Sequence, residues 1–337
     1  MRLTNTMILS VVGMVSFMIS MFLGKAVIPW LHKLKFGQTI REEGPAWHQS
    51  KQGTPTMGGI LFIAAFAVGI PLGLLLLRLV NGSHALGVPY ATVRLLAGAA
   101  LALGCGAIGF VDDYIKVVKK RNLGLTAMQK LLLQLLISAA YATVLYIYGH
   151  GDFDIAFIGT VHWGVWYIPF CIFVVVAMTN ATNLTDGVDG LCGMTAFVAA
   201  LAFMVLGGLC NLFGECLMAV ALAGGLAGFL VWNLHPARVF MGDTGSLFIG
   251  GALAALGFGI ERPFILVPVG LLYIAENLSV ILQVGYFKLT HGKRLFKMSP
   301  LHHHFELCGW SENRIVTAFT AVTVIGCAVA VMFLYFG

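Results

Sequence analysis

Asp112, Asp113, Asp186, Asp189 and Asp243 fall in three short segments, FVDDYIKVVKK, NATNLTDGVDG and WNLHPARVFMGDTGS, each at the edge of a long apolar run. The adjacent carboxylates of Asp112 and Asp113 repel each other, and at the C-terminal end of a helix they also face the negative end of its dipole. Cations or function must offset that cost. One account is a solvated turn neutralised by Lys116, Lys119 and Lys120; the other is a carboxylate pair that handles a proton or a metal-bound phosphate. In the second segment Thr185, Asp186 and Asp189 are suitable helix N-caps. Capping does not explain Asn180 and Asn183 beside them, and Gly187 and Gly190 permit close backbone approach to a ligand. In the third, Gly242 and Gly245 flank Asp243, with Thr244 and Ser246 alongside. A helix N-terminus of this kind binds anions. An aspartate there would repel phosphate unless a divalent cation bridges the two, and oxygen ligands with phosphate point to Mg²⁺. A plain N-cap role for Asp243 is the simpler account.

Two further segments carry polar chemistry. SPLHHHFE holds His302, His303 and His304 in a row. Consecutive residues cannot share one helix face, so this is no i, i+4 zinc pair; the imidazoles can donate hydrogen bonds and become cationic near phosphate. Alone, such a run reads as a solvated patch. WHQSKQGTPTMGG offers Lys51 and a Gly/Thr-rich turn that could hold an anion, or simply a flexible loop leading into an apolar run.

The elements that must position these residues are membrane helices. Of the 337 residues, 59% are hydrophobic and only 10% charged, against roughly a quarter charged in soluble chains. The apolar excess calls for a bilayer as solvent. The expected fold is an all-α integral membrane protein, one polytopic domain over residues 1–337. About ten runs are long enough to span, at 7–29, 58–80, 94–111, 131–148, 164–180, 191–209, 215–232, 245–260, 264–284 and 315–336. The first reads as an uncleaved span, because no small-residue cleavage site follows it. Pro263 and Pro268 crowd the ninth, and Glu276, Asn277 and Gln283 interrupt it; the break suggests a tilted helix beside a groove for a lipid tail.

Lys33, Lys35, Arg41, Lys51, Lys116, Lys119, Lys120, Arg121, Lys130, Arg238, Lys288, Lys293, Arg294, Lys297 and Arg314 fall in one set of loops. Only Arg2, Arg78, Arg94 and Arg262 fall in the other. The bias places the first set in the cytoplasm and both termini outside. All five motif segments share the basic, cytoplasmic side, where soluble nucleotides are available. The net charge of +6 follows from topology and suits anionic lipid and substrate; with basic residues spread over short loops, nucleic acid is not expected as a partner. On the outer side, residues 152–163 alternate enough to suggest a short β-hairpin. The seven cysteines show neither a disulfide framework nor a zinc pattern.

The combination of DDYIK, NLTDGVDG, MGDTGS and SPLHHHFE, with the GTPTMGG turn, resembles the phospho-N-acetylmuramoyl-pentapeptide transferase family of peptidoglycan synthesis, and does so over essentially the whole chain. The aspartate motifs are shared with the wider polyprenyl-phosphate N-acetylhexosamine-1-phosphate transferases, whereas SPLHHHFE marks the muramoyl branch. The resemblance implies a bacterial inner-membrane enzyme with Mg²⁺ as cofactor and two substrates, UDP-N-acetylmuramoyl-pentapeptide and undecaprenyl phosphate. The products would be lipid I and UMP, and members of the family are often homodimers. Carried onto this sequence, it implies Asp243 as the metal ligand and Asp112, with Asp113 beside it, as the base at the lipid phosphate. Lys116 and Lys130 would neutralise diphosphate charge, and His302, His303 and His304 would contact phosphate or sugar. Asn183, Asp186 and Asp189 would line the site, with Gly187 and Val188 near the uridine, Asn233 and Phe240 at the uracil, Lys51 and Thr56 near the nucleotide, and Gln283 at the periphery. A sister enzyme using UDP-N-acetylglucosamine is the nearest alternative, which SPLHHHFE opposes. A transporter is the alternative from another class; it would place charges near the bilayer midplane and often show inverted repeats, whereas only Glu276 is a clear intramembrane acid here.

Overall fold

The computed structural model describes residues 3–33, 53–81, 89–118, 124–149 and 151–336. The chain is an all-α, multi-span membrane protein. Its helices are α1 (Leu3–Lys33), α2 (Gly59–Asn81), α3 (Pro89–Val118), α4 (Ala127–Gly149), α5 (Tyr167–Thr185), α6 (Leu191–Leu209), α7 (Phe213–Asn233), α8 (Gly242–Gly259), α9 (Leu266–Val269), α10 (Leu271–Leu289), α11 (Leu301–Glu306) and α12 (Glu312–Phe336). Helices satisfy all their backbone groups internally, which hydrocarbon demands.

Eight of these helices are long and apolar enough to cross a membrane by themselves, and α8 is not among them. That departs from the run of ten simple spans. The expected eighth span, α8, is buried from Thr244 to Gly259. It meets protein on all sides, so it needs no lipid-facing surface, and its residues are small instead. The expected ninth span is two helices, because Pro263–Val269 and Leu271–Leu289 meet at 79°. The expected third span runs further than its apolar stretch, since α3 continues through Asp112 and Asp113 to Val118.

Around α8 pack α3, α5, α2 and α7. Small residues let these backbones approach closely. A Cβ on Gly109 of α3 would collide with the Asp243 carbonyl, one on Gly59 would strike the Gly245 backbone, and one on Gly250 would press into Thr179. Phe62 of α2 joins three helices, its ring 5.1 Å from Phe229 of α7 and 5.8 Å from Phe248 of α8.

At one end of the bundle β1 (Asp152–Ile155) and β2 (Gly159–His162) form an antiparallel hairpin, with Phe153 opposite Val161. Beside it, buried Arg94 lies 2.6 Å from Glu215 and 2.9 Å from Glu261, and Arg262 lies 3.1 Å from Asp154. The aspartate motifs gather at the opposite end, since α3 carries Arg94 near its start and Asp112 near its finish. Lys35, Arg41, Lys51, Lys119, Lys120, Arg121 and Arg2 lie outside the described residues.

Gly109→Ala should force α3 away from the start of α8, costing about 1–3 kcal/mol and lowering the melting temperature in detergent. Gly208→Ala, where nothing lies within 4 Å of the new methyl, should leave the melting temperature unchanged or slightly raised.

Candidate active site

The start of α8 fixes the site. A helix leaves its first N–H groups without internal partners, and here the partner comes from another helix. Asp113 Oδ2 accepts from the Thr244 N–H at 2.9 Å and the Thr244 hydroxyl at 2.7 Å, and its Oδ1 accepts from the Asp243 N–H at 3.3 Å. The carboxylate sits at the positive end of the α8 dipole, a favourable placement. Gly242 has φ of 67° and packs where a Cβ would lie 2.5 Å from Asp113 Oδ2 and 2.6 Å from Thr56 Oγ1. The helix therefore has no side-chain N-cap of its own, and Asp243, in its first turn, points elsewhere.

Asp243 meets two lysines. Lys116 Nζ lies 3.1 Å from Asp243 Oδ2 and 2.6 Å from Asp112 Oδ2. Lys130 Nζ lies 2.6 Å from Asp243 Oδ2 and 3.4 Å from Asp112 Oδ2. Asn183 donates to Asp243 Oδ1 at 2.8 Å and to Ser246 Oγ at 2.9 Å. The other oxygen of Asp112 accepts the Leu125 N–H at 2.8 Å, and Gly124 is needed there because a Cβ would lie 2.6 Å from that oxygen. Asp112 and Asp113 are 1% and 2% exposed, so the solvated-turn account of this pair fails. The two ammonium groups face three carboxylates in a largely buried site.

Ligand atoms of Asp112, Asp113 and Asp243 lie within 4.8 Å of one another and could hold a metal ion. Oxygen donors of this kind suit a hard divalent cation. The Asp113 oxygens already hold α8, whereas Asp112 Oδ2 and Asp243 Oδ2 converge on the lysine ammonium groups. Positive charge is already favoured at that point, and the donor set fits.

The second motif forms the loop between α5 and α6. None of its polar residues caps a helix by side chain: Gly190, with φ of 79°, precedes α6, and Thr185 bonds back to the Ala181 carbonyl. Asp189 Oδ2 instead accepts from the Ala237 N–H at 3.0 Å and pairs with His235 Nδ1 at 3.2 Å, while Glu312 of α12 accepts the Asp189 N–H at 3.2 Å. These three side chains also lie close enough to be metal ligands, but hydrogen bonds within the protein account for their arrangement. Asn233 is buried, accepting the Gly190 N–H and donating to the Val239 carbonyl. Val188 is buried against Leu272 and Ile315, and Asp186 is half-buried at the end of α5.

The fifth segment is a built turn. Phe240 N–H bonds the Pro55 carbonyl, Gly58 N–H the Phe240 carbonyl and Gly59 N–H the Met241 carbonyl, at 2.8, 2.8 and 3.0 Å. These bonds bring Thr56 and half-buried Phe240 to the start of α8. Lys51 lies outside the described residues.

The three histidines occupy α11; the His302 and His303 rings lie 4.2 Å apart, and each of the three has its own partner. His302 is buried and bonds Glu276, His303 Nδ1 bonds Glu306 at 2.6 Å, and His304 Nδ1 accepts the Lys297 N–H at 3.1 Å. Gln283 holds the segment before α11, accepting from Leu295 and Phe296 and donating to the Phe296 carbonyl. The structure thus brings Asp112, Asp113, Asp243, Lys116, Lys130 and Asn183 into one cluster, with the second loop and α11 as a neighbouring wall. Sequence reasoning missed His235 and Glu312. Their contacts to Asp189 span 46 and 123 positions of the chain, so no local spacing pairs them with it.

The family model for glycosyl transferase family 4 matches residues 95–260 of this membrane bundle. Residues 51–63 match signature 1 of phospho-N-acetylmuramoyl-pentapeptide-transferase. Proteins of that name are similar over nearly the whole length. That of Clostridium perfringens strain 13 is 45% identical over 320 residues, covering 94% of this chain and 95% of its own. That of Shouchella clausii is 45% identical over 330 residues, covering 96% and 95%, and that of Bacillus thuringiensis is 46% identical over 329, covering 96% of each. The chain belongs to the phospho-N-acetylmuramoyl-pentapeptide-transferase family.

Asp113→Ala should destabilise the fold more than Asp243→Ala. The first strips the partner from the buried start of α8, at about 1–3 kcal/mol; the second leaves its lysines a carboxylate at Asp112. Thermal melts of the two variants in one detergent check the order.

Proposed function

We propose that this protein transfers phospho-N-acetylmuramoyl-pentapeptide from its UDP nucleotide to undecaprenyl phosphate, forming lipid I and releasing UMP, at the cytoplasmic face of the bacterial inner membrane. The observation that carries this reading is the pairing of Asp112 and Asp243 through Lys116 and Lys130 at one end of the bundle. Phosphoryl transfer needs positioning and charge neutralisation more than covalent help from the protein.

In this reading an oxygen of the lipid phosphate attacks the β-phosphorus of the nucleotide, the bond from that phosphorus to the UMP oxygen breaks, and UMP leaves with the bonding pair. Lys116 and Lys130 supply positive charge where the phosphates meet. Asp112 Oδ2, between them, accepts the proton of any lipid phosphate that arrives singly protonated; a phosphomonoester has its second pKa at about 6, so a strong base is not required. Asn183 orients Asp243. Both Asp113 oxygens accept from α8, which favours direct attack over a phospho-aspartate at that residue. Mg²⁺, held by Asp243, would supply charge neutralisation for the diphosphate. The loop from Asp186 to Asp189, with Phe240, Asn233 and Thr56 beside it, is the natural seat for the uridine.

Purified protein given UDP-N-acetylmuramoyl-pentapeptide and a polyprenyl phosphate should release UMP only with both substrates and a divalent cation. A chelator should stop it reversibly, and Asp243→Ala should reduce kcat by about a hundredfold or more. Release from UDP-N-acetylglucosamine instead would reassign the donor. A phosphorylated Asp112 or Asp113 trapped in a single turnover would replace direct attack with two steps.

A further inference from the structure

Glu276 lies in the middle of α10 and is fully buried, 0% exposed. A carboxylate sealed in a membrane bundle is costly unless it is paired. Both carboxylate oxygens meet one residue: Oε1 accepts the His302 N–H at 3.2 Å, and Oε2 faces His302 Nδ1 at 3.2 Å. With the carboxylate accepting from Nδ1–H, a neutral ring presents Nε2 as an acceptor. Nε2 is buried and has no hydrogen-bond partner, and it abuts Gly187, where any side chain would collide with it. Gly187 stands in the loop that holds Asp186 and Asp189, so the ring is wedged between α10 and that loop.

We propose that Glu276 is a positioning residue for the transfer reaction: it fixes the orientation and tautomer of His302, so that Nε2 is presented at the Asp186–Asp189 loop as an acceptor for a hydroxyl or N–H of the nucleotide donor. This rests on the transferase reading above. An orphaned acceptor in a buried site is a standing cost, which a hydrogen-bond donor of a ligand bound at the loop would remove. The proposal also explains two features at once, the glycine at 187 and the intramembrane acid at 276, which the α10 bend alone leaves unexplained. Glu276 touches no reacting atom and acts only through the ring.

Two measurements test it. The first needs no turnover. In ¹⁵N-histidine-labelled protein, with the His302 signals assigned by their loss in His302→Asn, the wild type should show a protonated Nδ1 and a bare Nε2. UDP-N-acetylmuramoyl-pentapeptide, added without lipid, should move the Nε2 resonance and leave Nδ1 in place. A wild-type ring protonated on Nε2, or an Nε2 signal indifferent to saturating nucleotide, would overturn the proposal. The second is a double-mutant cycle on UMP release. Glu276→Gln should lower kcat/KM for the nucleotide about tenfold to a hundredfold, the scale of loss when an imidazole loses its orienting carboxylate, with KM for the lipid phosphate unchanged. The double variant with His302→Asn should be no worse than His302→Asn alone; additive losses would sink the dyad. Should Glu276→Gln fail to fold, the wild-type nitrogen spectrum still decides. A wild type that transfers nothing would refute the transferase reading and leave the tautomer measurement standing.

Discussion

The bond on which the rest of the structure depends runs from the Asp113 carboxylate to the first N–H groups of α8. The first N–H groups of a helix have no partners within it. The sequence of α8 supplies no side-chain cap. Asp113 closes that end from the neighbouring helix, and the same geometry sets Asp243 one residue inside α8 and Asp112 one residue back along α3. The distance between the Asp112 and Asp243 carboxylates is therefore set by two helices in contact at Gly109, not by a loop. Sites on regular elements hold their geometry more tightly than sites on loops.

That arrangement also settles the charge. Carboxylates this close repel, and burial strengthens the repulsion. The lysines that offset it come from α3 and α4, and each reaches both Asp112 and Asp243. The acids still outnumber the ammonium groups, so the site keeps an appetite for a further cation. An anionic diphosphate brought in with that cation would then meet lysines already in position. The cluster is stable enough to wait and unbalanced enough to bind.

Much of this was legible in the sequence. Apolar length gave most helices, the alternation at 152–163 gave the hairpin, and the Gly-rich aspartate segments held residues that the fold gathers into one cluster. What was not legible has physical causes. The extent of α3 was hidden because Asp112 and Asp113 look like the polar edge of a span, while tertiary partners keep the helix going to Val118. α8 read as a span because it is apolar, yet its small residues answer to protein neighbours. Thr185 and Asp186 had the chemistry of N-caps, but the α5 helix runs through Thr185, whose hydroxyl bonds back to Ala181. The GTPTMGG turn, which alone suggests flexibility, is held by backbone bonds to residues 240 and 241. His235 and Glu312 could not be found, because a pairing across the whole fold leaves no local trace.

The acids divide by what they face. Asp112 and Asp243 face lysines, and so can exchange those contacts for a ligand. Asp113, though Lys116 Nζ lies 3.7 Å away, accepts chiefly from α8, and Asp189, Glu312 and Glu276 face backbone N–H groups or histidine rings; these four hold segments together. The second group joins α8, the α5–α6 loop, α11 and α12, which no apolar packing could register to fractions of an ångström on its own. A carboxylate is well suited to that work in a bilayer. Its alternatives without a partner are so unfavourable that it selects one arrangement strongly, even where the net stabilisation is small. The wall beside the Asp112–Asp243 cluster is assembled from segments distant in the chain, and these buried acids tie its segments to one another.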